Sequence, residues 1–416
     1  MPIRLAILVS HPIQHFAPWH RELAQVADID LKVYFYCDWG LRNYVDPEFK
    51  MPVEWDIPLV DGYAHEFLPI ARRPKRMGFW ELDNPEVTIA LERFHPNVVQ
   101  VFGYAHRTNW RVAAWARRSG CPLLLYSDSN ARAVPAWWKR KLKEIIVQRF
   151  YSYVDGALFV GDNNRNYHLA YGVPASRLFQ GALPIQRQRL LQAIPQRAEA
   201  RRKLRKQFNI PSDAFVVIFC GKYVARKRPL DLVRAAHSLF GSGLPIWALL
   251  VGEGGERRKI ESFCTTETVR NAVLAGFVNQ SMIPTYFAAA DALAVTSDYD
   301  PHPLVVSEGA VYGLPVIISD QVGCIGLNDT AQPGRNAIVY PCGSVQRLAE
   351  CIEQLWRDGN LYKRMAAESS HISESQDVVV AAQQLAFATR KLHELGPRHS
   401  NLTNRSRFGN SGFVSS

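Results

Sequence analysis

The chain has 416 residues, enough for two or three domains, and 47% of them are hydrophobic, enough for packed cores. Its 49 basic residues exceed its 38 acidic ones by 11, a balance that favours anionic partners such as nucleotides, phosphates or acidic headgroups. Seven scattered cysteines with no C-x-x-C pair argue against a disulfide scaffold or a zinc ribbon, and no apolar run reaches the roughly 18–20 residues that span a bilayer. With an N-terminus, "MPIRLAILVSHP", that reads as a strand rather than a signal segment, these features predict a cytoplasmic protein.

Apolar runs at 3–10, 30–36, 97–103, 122–127 and 156–161 predict buried strands, and amphipathic stretches near 15–27, 107–119, 135–152 and 163–171 predict helices between them. Continuous apolar strands alternating with helices imply a parallel sheet covered on both faces. From Arg187 to Lys206 the pattern turns helical and polar, with eight basic residues against one acidic. Strands are expected again at 214–221, 245–252, 272–278, 291–297, 315–320 and 336–340, separated by helices near 228–240, 255–266, 280–289, 304–313 and 344–358. The expected architecture is α/β, with two Rossmann-like doubly wound domains facing a central cleft. An N-terminal acceptor-binding domain would span 1–185, completed by a C-terminal helix at 372–395. A basic connector at 186–208 would lead to a donor domain at 209–371, and 396–416 would be a disordered tail. Open α/β sheets bind ligands at their strands' carboxyl ends, so the chemistry belongs in the loops there.

Three such loops in the second half stand out. After strand 214–221 comes "GKYVARKRP": Gly221 permits a tight exit, Lys222 follows, and Lys227 precedes Pro229 at a helix start. Two lysines beside a helix N-terminus suit a diphosphate, although a solvated basic loop would read the same by itself. After the next strand comes the Gly-rich turn "VGEGGER", with Gly252 at its start. The third, "TSDYDPHPLVVSEGAVYGLPV" (296–316), sets Asp300 in a loop and Glu308 in the following helix. Acids there accept hydrogen bonds from sugar hydroxyls, and Leu304 and Val305 offer free N–H groups at the helix start. The D-x-D triplet at 298–300 lies inside this longer motif and is taken as coincidental.

These loops, in this order, resemble the retaining glycosyltransferases of family four, which have the GT-B fold. "AGFV" (275–278), "IPTYFAAADALAVTSDYD" (283–300) and the acid-x7-acid motif ending in "EGAVYGLPVI" carry the same resemblance. It implies transfer of a sugar from a nucleotide-diphosphate sugar to a hydroxyl of a glycan, lipid-linked or small-molecule acceptor, in cell-surface polysaccharide or glycoconjugate synthesis. A UDP-sugar is the favoured donor and a GDP-sugar the second candidate, with no cofactor and no metal. Lys222 and Lys227 would neutralise the diphosphate, Glu308 would hold the ribose, and Asp300 would face the donor sugar. Gly276, Phe277 and Val278 would border the base. Two departures stand out: Asp300 replaces a Glu, and Pro303, without an N–H, stands where the family often has Gly. They motivate one rival reading, a non-catalytic sugar-binding assembly protein, and a same-fold nucleotide-sugar epimerase or hydrolase is a second.

The acceptor is expected in the first half. Asp128, in "YSDSN" (126–130) after a strand, is a candidate for positioning the acceptor or removing its proton, with an Asx turn or helix cap as the alternative. "SHPIQHFAP" (10–18) follows the first strand. Its histidines are four apart, but Pro12 disfavours the continuous helix on which His11 and His15 would share a metal. A subset of the family resembles this "SHPIQ" form, making His11, Gln14 and His15 candidate acceptor contacts. Along 133–154, Trp138, Leu142, Ile145, Ile146 and Phe150 are expected on one face and Lys139, Arg140 and Lys143 off it. A core-facing helix is the favoured reading. Peripheral contact with an anionic membrane, at its inner surface, is the alternative. Nucleic acid is not an expected partner, because the basic residues cluster in one connector without an aromatic platform.

Overall fold

The computed structural model describes residues 1–41, 44–46, 48–49, 51–70, 74–130, 137–192 and 196–398. Its strands, in chain order, are β1 (Ile3–Val9), β2 (Ile29–Phe35), β3 (Tyr44–Asp46), β4 (Met51–Val53), β5 (His65–Phe67), β6 (Val98–Phe102), β7 (Leu123–Tyr126), β8 (Gly156–Phe159), β9 (Leu178–Gln180), β10 (Phe215–Cys220), β11 (Ile246–Val251), β12 (Ala272–Gly276), β13 (Ala292–Val295), β14 (Val316–Ser319) and β15 (Ala337–Tyr340). Among the described residues they form a parallel seven-stranded sheet, β5-β2-β1-β6-β7-β8-β9, and a parallel six-stranded sheet, β12-β11-β10-β13-β14-β15. β3 and β4 make a separate antiparallel hairpin.

The central strands are apolar on both faces because helices cover both. The helices are α1 (Phe16–Ala24), α2 (Val87–Phe94), α3 (Arg107–Ser119), α4 (Trp137–Tyr151), α5 (Asp162–Ala170), α6 (Arg187–Gln192), α7 (Arg197–Gln207), α8 (Pro229–Gly241), α9 (Arg257–Thr266), α10 (Ile283–Ala289), α11 (Leu304–Val311), α12 (Val345–Arg357), α13 (Gly359–Glu374) and α14 (Val378–Leu395). One face of the first sheet packs Leu5, Ile7 and Val33 against Trp19 of α1 and against Ala381, Leu385 and Leu392 of α14. Its other face packs Ala6, Leu8 and Val99 against Leu91, Val112 and Phe150. The second sheet is covered in the same way on both faces. Leu304, at the start of α11, packs against the cores of both halves.

Two of the connector's arginines tie it to the second half, while Arg202, Lys203 and Lys206 are exposed. Arg205 is buried, and it and Arg201 each reach the Asp291 carboxylate at 2.7 Å.

Two expectations need correction. Ile145 and Ile146 of α4 are exposed, at 69% and 45%, whereas Val147 and Phe150 are buried. The packed stripe follows the spacing of Val147, Phe150, Tyr151 and Val154, and on a helix Ile145 lies on the far side from Val147. The side chains of Trp138, Lys139, Arg140 and Leu142 lie outside the described residues. The expected tail is also not free from its start: the Arg398 amide donates to Asp155 at 2.6 Å and Arg177 donates to the Gly396 carbonyl at 2.8 Å. The rest of the expected tail, from 399, lies outside the described residues.

Candidate functional site

In each sheet the strand order reverses beside the first strand, between β1 and β6 and between β10 and β13. Loops leaving the carboxyl ends on either side of such a reversal diverge and open a crevice. The loop after β1 contributes His11, Gln14 and His15 to one cleft. The second half faces them with Gly221, Lys222 and Lys227 after β10, Gly252 after β11, Phe277 and Val278 after β12, and Leu304, Val305 and Glu308 of α11. Residues scattered over three hundred positions thus meet because both sheets present the same ends.

Close backbone approach explains the glycines. A Cβ at Gly252, where φ is +142°, would lie 1.9 Å from the Gly221 carbonyl oxygen, so only glycine fits. The Gly252 amide in turn donates to the Gly276 carbonyl at 2.8 Å. Gly276 lies just behind the cleft wall formed by Phe277.

Lys227 is held from two sides. The Thr296 hydroxyl, after β13, donates to the Lys227 and Arg228 carbonyls at 2.7 and 3.0 Å, fixing the turn that carries the lysine. Its ammonium then pairs with the Asp300 carboxylate at 3.3 Å. Asp300 is buried behind Lys227.

α11 begins at Leu304 with Pro303 as its cap, and the amides of Leu304 and Val305 are in the first turn, where a helix leaves its N–H groups unpaired. Glu308 follows one turn later and is 8% exposed. Burial pushes its carboxyl up to about 7, and the Arg189 guanidinium pulls in the opposite direction. Arg189 is anchored by the Gln280 carbonyl at 2.6 Å.

On the facing wall, burial pushes both His11 and His15 down to about 4, so both are neutral at physiological pH. His106 and Lys222 add to the effect at His11, where Asp46 opposes it. Nδ1 of His11 lies 2.9 Å from the Ser10 hydroxyl, while His15 caps α1. Among the described residues no three His, Cys, Asp or Glu side chains converge as a metal site requires.

Asp128 is not among the side chains that line this cleft with His11 and Lys227, but it lies near Asp300. Its loop is tied to α5, where Asn164 donates to the Ser129 carbonyl at 2.7 Å, and to the loop after β13, where Asn130 reaches the Pro301 carbonyl at 3.5 Å. Burial pushes the Asp128 carboxyl up, and the charge on Asp300 adds to this. His302, on the Asp300 loop, is buried with Nε2 lacking a protein partner.

Sequence reading missed one wall. Asp46, Glu48, Phe49 and Trp55, from hairpin β3–β4 and the segment after it, line the same cleft. Lys222 pairs with Asp46 at 3.2 Å and with Glu48 at 2.9 Å, and Arg226 reaches Glu48 at 3.3 Å. Burial works against ionisation of Glu48, but the two cations hold its carboxyl below the usual range. Strands of three residues are too short to show a period, so nothing in the pattern marked them.

Residues 200–371 match the family model described as "Glycosyl transferases group 1". The chain is 31% identical over 167 residues to the lipopolysaccharide core biosynthesis glycosyltransferase LpsD of Rhizobium meliloti, covering 40% of this chain and 46% of that protein. It is 28% identical over 178 residues to TuaC of Bacillus subtilis, named as a putative teichuronic acid biosynthesis glycosyltransferase, covering 41% and 42%. The chain thus spans less than half the length of these relatives. Its overall shape is similar to the crystal structure of HepE from Anabaena in complex with UDP, with a TM-score of 0.70 at 17% identity over 94% of this chain and 100% of that one. The lipopolysaccharide outer core galactosyltransferase WaaB gives a TM-score of 0.62 at 16% identity over 93% and 99%. At these identities the structures establish the fold, which is GT-B.

Proposed function

We propose that this GT-B protein, with a glycosyl transferases group 1 domain in its second half, transfers a sugar from a nucleotide-diphosphate sugar to a hydroxyl, with retention at the anomeric carbon. The observation that carries the reading is one cleft in which Lys222, Lys227 and the start of α11 face His11 and His15. That cleft offers positive charge and free amides where a leaving diphosphate would develop charge, and neutral polar groups opposite. The neighbours' own ligands support a UDP-sugar as donor, since HepE was solved with UDP and with UDP-glucose. The relatives' names support an acceptor in cell-surface polysaccharide.

Each residue then has a task. Negative charge grows on the β-phosphate as the glycosidic bond breaks, so the two ammonium groups and the Leu304 and Val305 amides act most strongly in the transition state. The Glu308 carboxylate accepts the ribose hydroxyls, and Gly276, Phe277 and Val278 border the base. Asp300 sets the place of Lys227 from behind the cleft wall and acts on the donor sugar through that lysine. Asp128, its basicity raised by burial, would take the acceptor proton or orient its hydroxyl. The lysines and helix start carry the leaving-group charge without a metal. The exposed Ile145 and Ile146 lie beside Lys141 and Arg149 on α4, which supports peripheral contact with an anionic membrane as the place where a lipid-linked acceptor is met.

The test is product analysis with UDP-glucose and a set of glycan acceptors, followed by NMR of the new anomeric centre. A transferase gives an acceptor-dependent α-product from an α-donor, and Lys227→Ala lowers its rate by about two orders of magnitude or more. An altered or hydrolysed sugar formed from donor alone would favour the epimerase or hydrolase. No nucleotide binding at all would favour the assembly protein.

A further inference from the structure

The cations of the donor wall are already occupied. Asp46 and Glu48 come from the first half of the chain, at the turn of hairpin β3–β4, and reach across the cleft to the second half. Lys222 contacts both carboxylates, at 3.2 and 2.9 Å, and Glu48 also holds Arg226 at 3.3 Å. Two adjacent carboxylates on these cations imitate the charge of a diphosphate. The contact is reinforced on its apolar side. The Phe49 ring meets the Phe277 ring edge-on at 5.2 Å, and the Lys222 ammonium lies 4.8 Å from the centre of the Phe49 ring. The segment after the hairpin is pinned to the same wall, because Asn279 donates to the Glu54 carbonyl at 2.7 Å and the Ser281 amide donates to Asp56 at 3.1 Å.

We propose that Asp46 and Glu48 form an acidic latch that mimics the charge of the donor diphosphate, so that the donor enters by exchanging with these two carboxylates. The proposal rests on the reading of Lys222 as a diphosphate-binding cation. The physical reason is charge. A diphosphate beside an unmoved Asp46–Glu48 pair would set like charges against each other in a half-buried cleft, where they are weakly screened. The exchange conserves ion pairs for a ligand with two phosphates and leaves them incomplete for one with a single phosphate. The latch therefore sharpens selection for diphosphates over monophosphates.

The experiment is calorimetric titration of the full chain with inorganic pyrophosphate and with UDP, for the wild type and for the D46N/E48Q double variant. The variant is expected to bind both ligands about three- to thirtyfold more tightly. Asp56→Ala, which leaves the charges on Lys222 untouched and loosens the far anchor, should give a smaller gain in the same direction. Hydrogen exchange of the Asp46, Glu48 and Phe49 amides in the wild type should speed up on addition of UDP. Unchanged or weaker binding in D46N/E48Q overturns the latch, because the carboxylates would then be bystanders or part of the binding site. Tighter pyrophosphate binding without any UDP binding would support the latch while removing the nucleotide reading. Neither ligand binding to either form would overturn both.

Discussion

The Lys227 ammonium lies 3.3 Å from the Asp300 carboxylate, linking the loop after β10 to the loop after β13 across the strand-order reversal of the second sheet. The pair does two things. It aims the lysine, and it removes part of its charge until a ligand competes for it. Asp300→Asn should therefore separate binding from turnover. Donor affinity should hold or rise, because Lys227 is freed, while turnover falls by about tenfold or more, because the lysine is no longer aimed. Calorimetry alongside kcat measures both, and unchanged turnover would remove the positioning role.

The proposed role of Glu308 at the ribose makes donor binding pH-dependent. Burial pushes its carboxyl up to about 7, against an ordinary value of 4.5. The charged form is the better acceptor for ribose hydroxyls, so UDP affinity should rise with pH through the neutral range in the wild type. Glu308→Gln should flatten that part of the rise, and a difference between the two proteins that does not change with pH would contradict the assignment.

The same group gives a stability signature of defined sign. The folded state keeps the Glu308 proton to a higher pH than the unfolded chain does. The stability this contributes is present at low pH and is lost as pH rises from about 4.5 through about 7, by up to about 3 kcal/mol. Urea titrations across that window should show the wild type losing stability relative to Glu308→Gln.

His11 lines the cleft opposite Lys222 as a half-buried imidazole that desolvation keeps neutral. His11→Ala should raise the acceptor KM or lower acceptor-dependent turnover while donor affinity measured without acceptor stays within about twofold. An unaltered acceptor dependence would remove His11 from the acceptor side.

Leu385 ties the C-terminal helix to the first half. It is fully buried against the β1 face, so Leu385→Ala should cost about 2–5 kcal/mol in chemical denaturation. A loss below about 1 kcal/mol would mean that α14 is not part of that core.

Much of this was legible in the sequence, and the reason is physical. Parallel strands buried on both faces read as unbroken apolar runs, so β1, β6, β7, β10, β11 and β13 were visible at their positions. Gly221, Lys222, Lys227, Leu304 and Glu308 were visible because each sits within a few residues of a strand end or helix start, where local pattern and site geometry coincide. The hairpin with Asp46 and Glu48 was not, because its strands are three residues long and its meaning lies in a contact 176 residues away. α4 misled for a different reason. Its apolar residues cover more than one face, so the spacing of Ile145 and Ile146 could not say which face the core would take.

The most direct measurement is calorimetric titration of UDP-, GDP- and ADP-sugars into the wild type and into Lys227→Ala. The account predicts that at least one of these donors binds the wild type. It also predicts that Lys227→Ala weakens that binding by about tenfold or more while the variant stays folded without ligand. Failure of every nucleotide-diphosphate sugar to bind the wild type, or equal affinity in Lys227→Ala, would contradict it.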